Sequence, residues 1–112
     1  MVESSRLAMF VNRLEALKNI VAQNPGDAFA RYGLAMEYSK AASYEQALAE
    51  FRILLASNPD YAYAYFHAGQ TLEKLGRAGE AGEMYRRGIE AAGRQGDAHA
   101  RDELRAALEQ LG

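Results

Sequence analysis

The sequence predicts an all-α protein: about six helices paired antiparallel and stacked as an α-solenoid. Three observations carry that expectation. Two Asn-Pro dipeptides, Asn24-Pro25 and Asn58-Pro59, stand 34 residues apart, and the residues around them return in the same register. Within each period the apolar residues recur at three- and four-residue steps, the spacing of one helix face. Between the periodic stretches fall breakers: Asn24-Pro25-Gly26, Ala42-Ser43, Asn58-Pro59-Asp60, Gly76 and Gly93.

A shift of 34 pairs Ala28 with Ala62, Phe29 with Tyr63 and Ala30 with Ala64. It also pairs Lys40 with Lys74, Ala47 with Ala81, Phe51 with Tyr85 and Arg52 with Arg86. A later echo keeps the phase, since GDAFARYGL (26–34) returns as GDAHARDEL (96–104) two periods on with a short insertion.

Each helix has its own reason. The first, over 5–23, carries an apolar stripe of Leu7, Phe10, Leu14, Leu17 and Val21, widened by Val11 and Ile20. The second, over 27–41, starts at Asp27, whose carboxylate suits the free amides of a first turn, and presents Leu34, Ala35 and Tyr38. Ala47, Phe51, Leu54 and Leu55 mark a third over 44–57. Tyr61-Ala-Tyr-Ala-Tyr65 alternates like a strand, but alanine is poor in strands and the register places the run on a fourth helix, 61–75. The fifth, 78–92, carries Ala81 and Tyr85 and stops at Gly93. Asp97 caps the sixth, 97–111, with Leu104, Leu108 and Leu111 on one face.

Composition bounds what such a chain does. With 112 residues, 49% hydrophobic and 25% charged, it suits one domain over 1–112 with a modest core. The net charge of −2 lacks the basic stripe of a nucleic-acid binder, and the arginines of the last third interleave with acids. The absence of cysteine excludes disulfides and thiolate chemistry. The start MVESSRLAMFVNRLE is no signal peptide and no run approaches the ~18 apolar residues of a membrane span, so a cytoplasmic location and no membrane partner are expected.

Enzyme chemistry finds no constellation. His67 and His99, the only histidines, have no metal spacing, and Gly76, Gly79 and Gly82 follow a helix instead of leading from a strand into a phosphate-binding turn. No serine or aspartate has a partner that would activate it. No catalytic residue, cofactor or metal is expected.

Residues at these slots, repeated every 34, resemble the tetratricopeptide repeat family. One repeat, 27–59, reads Leu34, Ala35, Tyr38, Tyr44, Ala47, Phe51 and Pro59; the next, 61–93, reads Tyr65, Ala68, Gly69, Leu72, Gly76, Ala81 and Tyr85. Arg31 takes the Trp-like slot of the first, while Ala78 and Gly93 replace an aromatic and a proline in the second. The outer stretches 5–23 and 97–111 read as an N-terminal half-repeat and a C-terminal capping helix, with Arg13 and Arg105 where small residues would meet a partner helix. Small Ala35, Gly69, Ala47 and Ala81 would let helices approach, and Tyr38, Leu72, Phe51 and Tyr85 would fill the space between.

The resemblance implies a right-handed solenoid whose first helices line a concave groove for a peptide or helix of another protein. Slot by slot, that groove would be lined by Phe29, Tyr32, Met36 and Ser39, then Tyr63, Phe66, Gln70 and Glu73, then His99, Asp102 and Ala106. His67 and Glu73 would tune specificity from its edges. Some of these aromatics belong to the core if the slots are misassigned. The positions with which part of the family grips chaperone C-termini hold Tyr32, Met36, His67, His99 and Glu103, which makes no carboxylate clamp. An apolar or mixed partner is implied. A second use of the chain is homodimerisation through Leu7, Phe10, Val11 and Leu14, unless packing inside the chain covers that stripe.

Overall fold

The computed structural model describes the backbone of residues 2–111 and the side chains of residues 13–111; over these residues the chain forms six helices and no strand. They are α1 (Val2–Gln23), α2 (Ala28–Lys40), α3 (Tyr44–Ser57), α4 (Ala62–Lys74), α5 (Ala78–Gln95) and α6 (Ala98–Gln110). Each packs on the next, and α4 also meets α6, so successive pairs stack as a helical solenoid of 44 × 30 × 22 Å. Among the described residues no helix is long and apolar enough to cross a membrane.

Local chemistry sets the ends. The Asp27 and Asp97 carboxylates accept the Ala30 and Ala100 amides, each at 3.0 Å, which satisfies donors the first turn leaves free. Asp27→Ala and Asp97→Ala should each cost about 1 kcal/mol, read as a lower urea midpoint with unchanged slope. At the other end, Ala42, Gly76 and Gly96 adopt left-handed φ of 58°, 74° and 67°. The next amide of each (Ser43, Arg77, Asp97) then donates 2.9 Å to the carbonyl five residues back, which closes the helix. In the Asn-Pro turns, the amides of Asp27 and Tyr61 donate to the carbonyls of Asn24 and Asn58.

The main core runs through the stack, with Leu48, Phe51, Leu54, Leu72, Tyr85 and Leu104 sealed from solvent. Close approach depends on small residues. A Cβ on Gly69 would lie 2.2 Å from the Tyr85 ring, and one on Gly88 would lie 2.7 Å from Tyr65 Cβ and 2.8 Å from a Leu104 methyl. Tyr38, expected to fill the core, is only half-buried and joins the main cluster to a smaller one of Val21, Ala30 and Leu34 between α1 and α2.

Two sequence departures find their reasons here. Arg31, in the Trp-like slot, is buried; its guanidinium pairs with Glu50 at 2.6 Å and donates 3.1 Å to the Pro25 carbonyl. One period on, the Tyr65 hydroxyl donates 2.7 Å to the Pro59 carbonyl. Either side chain thus ties its helix to the preceding turn, one through a charged fork and the other through a hydroxyl. The fifth helix runs to Gln95, past the expected stop at Gly93. A Cβ added at Gly93 would meet nothing within 4 Å, and Arg94 and Gln95 reach back to Asp60 at 2.6 and 3.1 Å.

Candidate functional site

The inner face of α2, α4 and α6 carries the residues expected to form a groove, and the structure divides them. Phe29, in the first turn of α2, is 82% exposed. Tyr32, Met36, Tyr63 and Phe66 are half-buried, each packed at its base on the main core. Gln70 and Glu73 stand exposed, and His67 lies half-buried between the rings. The expectation that an aromatic here is either core or groove therefore gives way to a double role. Each half-buried ring has one side on the core and another toward solvent.

The rings are contiguous. Tyr32 meets Phe51 edge-on at 6.2 Å and His67 edge-on at 5.7 Å, and it stacks on Tyr61 at 5.3 Å. His67 stacks over Phe51 at 6.4 Å and meets Phe66 edge-on at 5.3 Å, while Phe66 lies 6.3 Å from Tyr85. Such edge and offset contacts favour a rigid platform. In front of it, Met36, His67, Gln70 and Glu73 line a groove of about 460 Å³ together with Lys40 and Lys74. An adjoining hollow of about 250 Å³ shares Gln70 and Glu73 and adds Phe66 and Glu103. Tyr44, a slot residue of the first repeat, and Tyr61 belong to this surface but are not among the expected groove residues. Tyr61 stands just before α4 begins, and no sequence signal announces that its ring folds onto Tyr32.

Burial sets the electrostatics. The Tyr32 hydroxyl is pushed up to about 12, first by burial and then by its neighbours Tyr61 and Tyr63, so it stays neutral at physiological pH. Tyr85 is raised too, by burial and by the Glu73 carboxylate to which its hydroxyl donates a hydrogen bond. Burial lowers His67, against the opposing pull of Gln70 and Glu103, so the folded state favours neutral imidazole. The unfolded chain then binds the proton more readily, and stability should fall as pH drops through the ordinary histidine range. His67→Gln should flatten the fall in melting temperature between about pH 7 and 5.5; an unchanged slope would place the titration elsewhere.

Of the residues expected to pair two copies, Leu14 is half-buried and packs with Leu17 against the Val21, Ala30 and Leu34 cluster. Leu7, Phe10 and Val11 lie outside the residues whose side chains are described. His99 sits exposed on α6, 2.9 Å from Glu103. On the opposite side of the stack, a hollow of about 360 Å³ between α3 and α5 has Leu55, Leu72 and Met84 in its lining. The cations at its rim have partners inside the chain: Arg52 pairs with Glu80, and Arg87 lies 5.3 Å from the centre of the Tyr65 ring.

Known proteins share this fold. A family model for the tetratricopeptide repeat matches residues 62–94. The chain is 38% identical to a tetratricopeptide repeat domain protein from Salinibacter ruber, covering 79% of this chain and 89% of that one, with a TM-score of 0.74. It is 28% identical to a protein from Bordetella parapertussis, covering 88% and 85%, with a TM-score of 0.76. The TPR2B domain of yeast Sti1, solved as a complex with pHsp70, shares the fold at 16% identity, covering 97% and 87% with a TM-score of 0.85. No curated protein matches the chain.

Proposed function

Because the chain belongs to the tetratricopeptide repeat family, we propose that it is a scaffold or adaptor holding a segment of a partner protein in the groove of α2, α4 and α6. One observation carries the reading: the contiguous ring surface of Tyr32, His67 and Phe66, with Tyr63 half-buried beside it and Phe29 bare at its approach. Aromatic residues of limited rotamer freedom bury much area at low entropy cost, the property that makes them binding anchors. A partner segment of apolar or mixed character, helical or extended, fits such a surface. The carboxylate-clamp mode does not, since Tyr32, Met36, His67, His99 and Glu103 supply no set of lysines and asparagines.

The test separates binding from folding. Phe29 is exposed and Tyr63 half-buried, so Phe29→Ala/Tyr63→Ala should leave the fold in place. A partner captured by the wild type should bind this variant at least about tenfold more weakly by calorimetry, the expected loss for two interface aromatics. Equal affinity would move the site off this face. Binding that disappears when a peptide's terminal carboxylate is blocked would restore the clamp.

A further inference from the structure

The groove carries charges as well as rings, and they are unevenly placed. Lys40 and Lys74 hold the same slot one period apart, in the last turns of α2 and α4. Both line the larger groove, beside Tyr44 and Gln70, whose polar groups add hydrogen-bond donors. Most other cations have a partner: Arg31 holds Glu50, Arg77 holds Glu80 and Arg94 holds Asp60, each at 2.6 Å. Lys74 makes no ion pair among the described residues. Lys40 reaches only Glu37, at 3.4 Å, a carboxylate it shares with Arg13 at 3.3 Å. Glu73 lines this groove as well, and toward α6 the balance reverses: Glu73 and Glu103 line the smaller hollow together with Phe66 and no cation.

Resting on the reading that this groove holds a partner segment, we infer that the segment carries an acidic side chain next to an apolar one. The internal carboxylate sits at Lys40 and Lys74, and the apolar side chain lies on the Tyr32–His67–Phe66 rings. Two exposed ammonium groups line one cavity against a single carboxylate, Glu73, which already accepts the Tyr85 hydroxyl, and the excess positive charge is one that a carboxylate answers with charge-assisted hydrogen bonds. The acidic end of the groove disfavours a second carboxylate there, which gives the bound segment a direction. This differs from a terminal-carboxylate clamp in both the slots used and the group held.

Random short peptides displayed with their C-termini fused to a carrier present no terminal carboxylate. They are selected on wild type, on Lys40→Gln/Lys74→Gln and on Phe29→Ala/Tyr63→Ala. The wild type should enrich aspartate or glutamate beside leucine, isoleucine or an aromatic residue. A synthetic copy of the most enriched peptide should bind the double-lysine variant about tenfold more weakly. Added salt should weaken its binding to the wild type and leave binding to that variant nearly unchanged. Apolar enrichment without an acid, lost on Phe29→Ala/Tyr63→Ala, would overturn the acidic anchor and keep the groove. Peptides that bind Phe29→Ala/Tyr63→Ala as well as wild type, or no enrichment at all, would overturn both.

Discussion

Gly69→Ala should remove a large share of the stack's stability. The added Cβ would fall 2.2 Å from Tyr85 Cε1 and 2.6 Å from Cζ, and the Tyr85 ring is sealed from solvent. That ring cannot swing aside freely, because its hydroxyl is held by Glu73 and Phe66 packs beside it. The remaining way to relieve the clash is to part α4 from α5. Overpacking typically costs about 1–3 kcal/mol, and a clash against a rigid buried ring belongs at or above the top of that range. A domain of this size has only about 5–15 kcal/mol to lose. The check is a urea midpoint that drops sharply, with Gly93→Ala as the control. Gly93 is also helical but has nothing within 4 Å of an added Cβ. There the gain in helix propensity, up to about 1 kcal/mol, should leave stability unchanged or raise it. The same substitution at two helical glycines is therefore expected to have opposite signs.

Phe51→Ala should cost about 3–5 kcal/mol, the usual range for deleting a fully buried ring. Phe51 has no solvent exposure and lies beneath both Tyr32 and His67. Its loss should lower the melting temperature by roughly 15 °C, at about 4 °C per kcal/mol. It should also loosen the groove floor, so that binding weakens before the fold is lost. Phe51→Leu, which keeps most of the volume, should recover most of the stability. A melting temperature unchanged by Phe51→Ala would mean that the α2–α3 pair is not packed through this ring.

The repeated architecture could be read from the chain because its signals are local and recur in phase. The two Asn-Pro turns, the Asp27 and Asp97 caps and the helical spacing of Ala47, Phe51, Leu54 and Leu55 all point to one register. What escaped depends on distance between helices, which no local pattern contains. Gly88 reads as an ordinary helical glycine until Tyr65 Cβ and a Leu104 methyl come to rest against it. Gly93 looks like a terminator, yet α5 continues because Arg94 and Gln95 find Asp60 across the preceding turn. Arg31 looks like an exception in the Trp-like slot until its bonds to Glu50 and the Pro25 carbonyl show how a cation can be buried there.

The helix that carries each expected groove residue was legible by slot, and its depth was not. Slots placed Phe29, Tyr32, Tyr63 and Phe66 on the first helices of their pairs. They could not distinguish bare Phe29 from the half-buried others, since that difference is made by Tyr61, Phe51 and Tyr85 arriving from other elements. Charge followed the same rule. The match of Lys40 with Lys74 is visible in the sequence, whereas the absence of an ion pair to Lys74 among the described residues depends on where the acids of neighbouring helices end up.

The most direct measurement is a backbone amide NMR titration of the wild type with the segment it captures. Binding in the groove shifts amides of Phe29, Tyr32, Met36, Tyr63, Phe66 and Gln70 at low ligand ratios, while Ile53 and Arg87 on α3 and α5 stay in place. Shifts concentrated on α3 and α5, with the α2 and α4 amides unmoved, would put the partner on the opposite face and contradict the groove as the binding site.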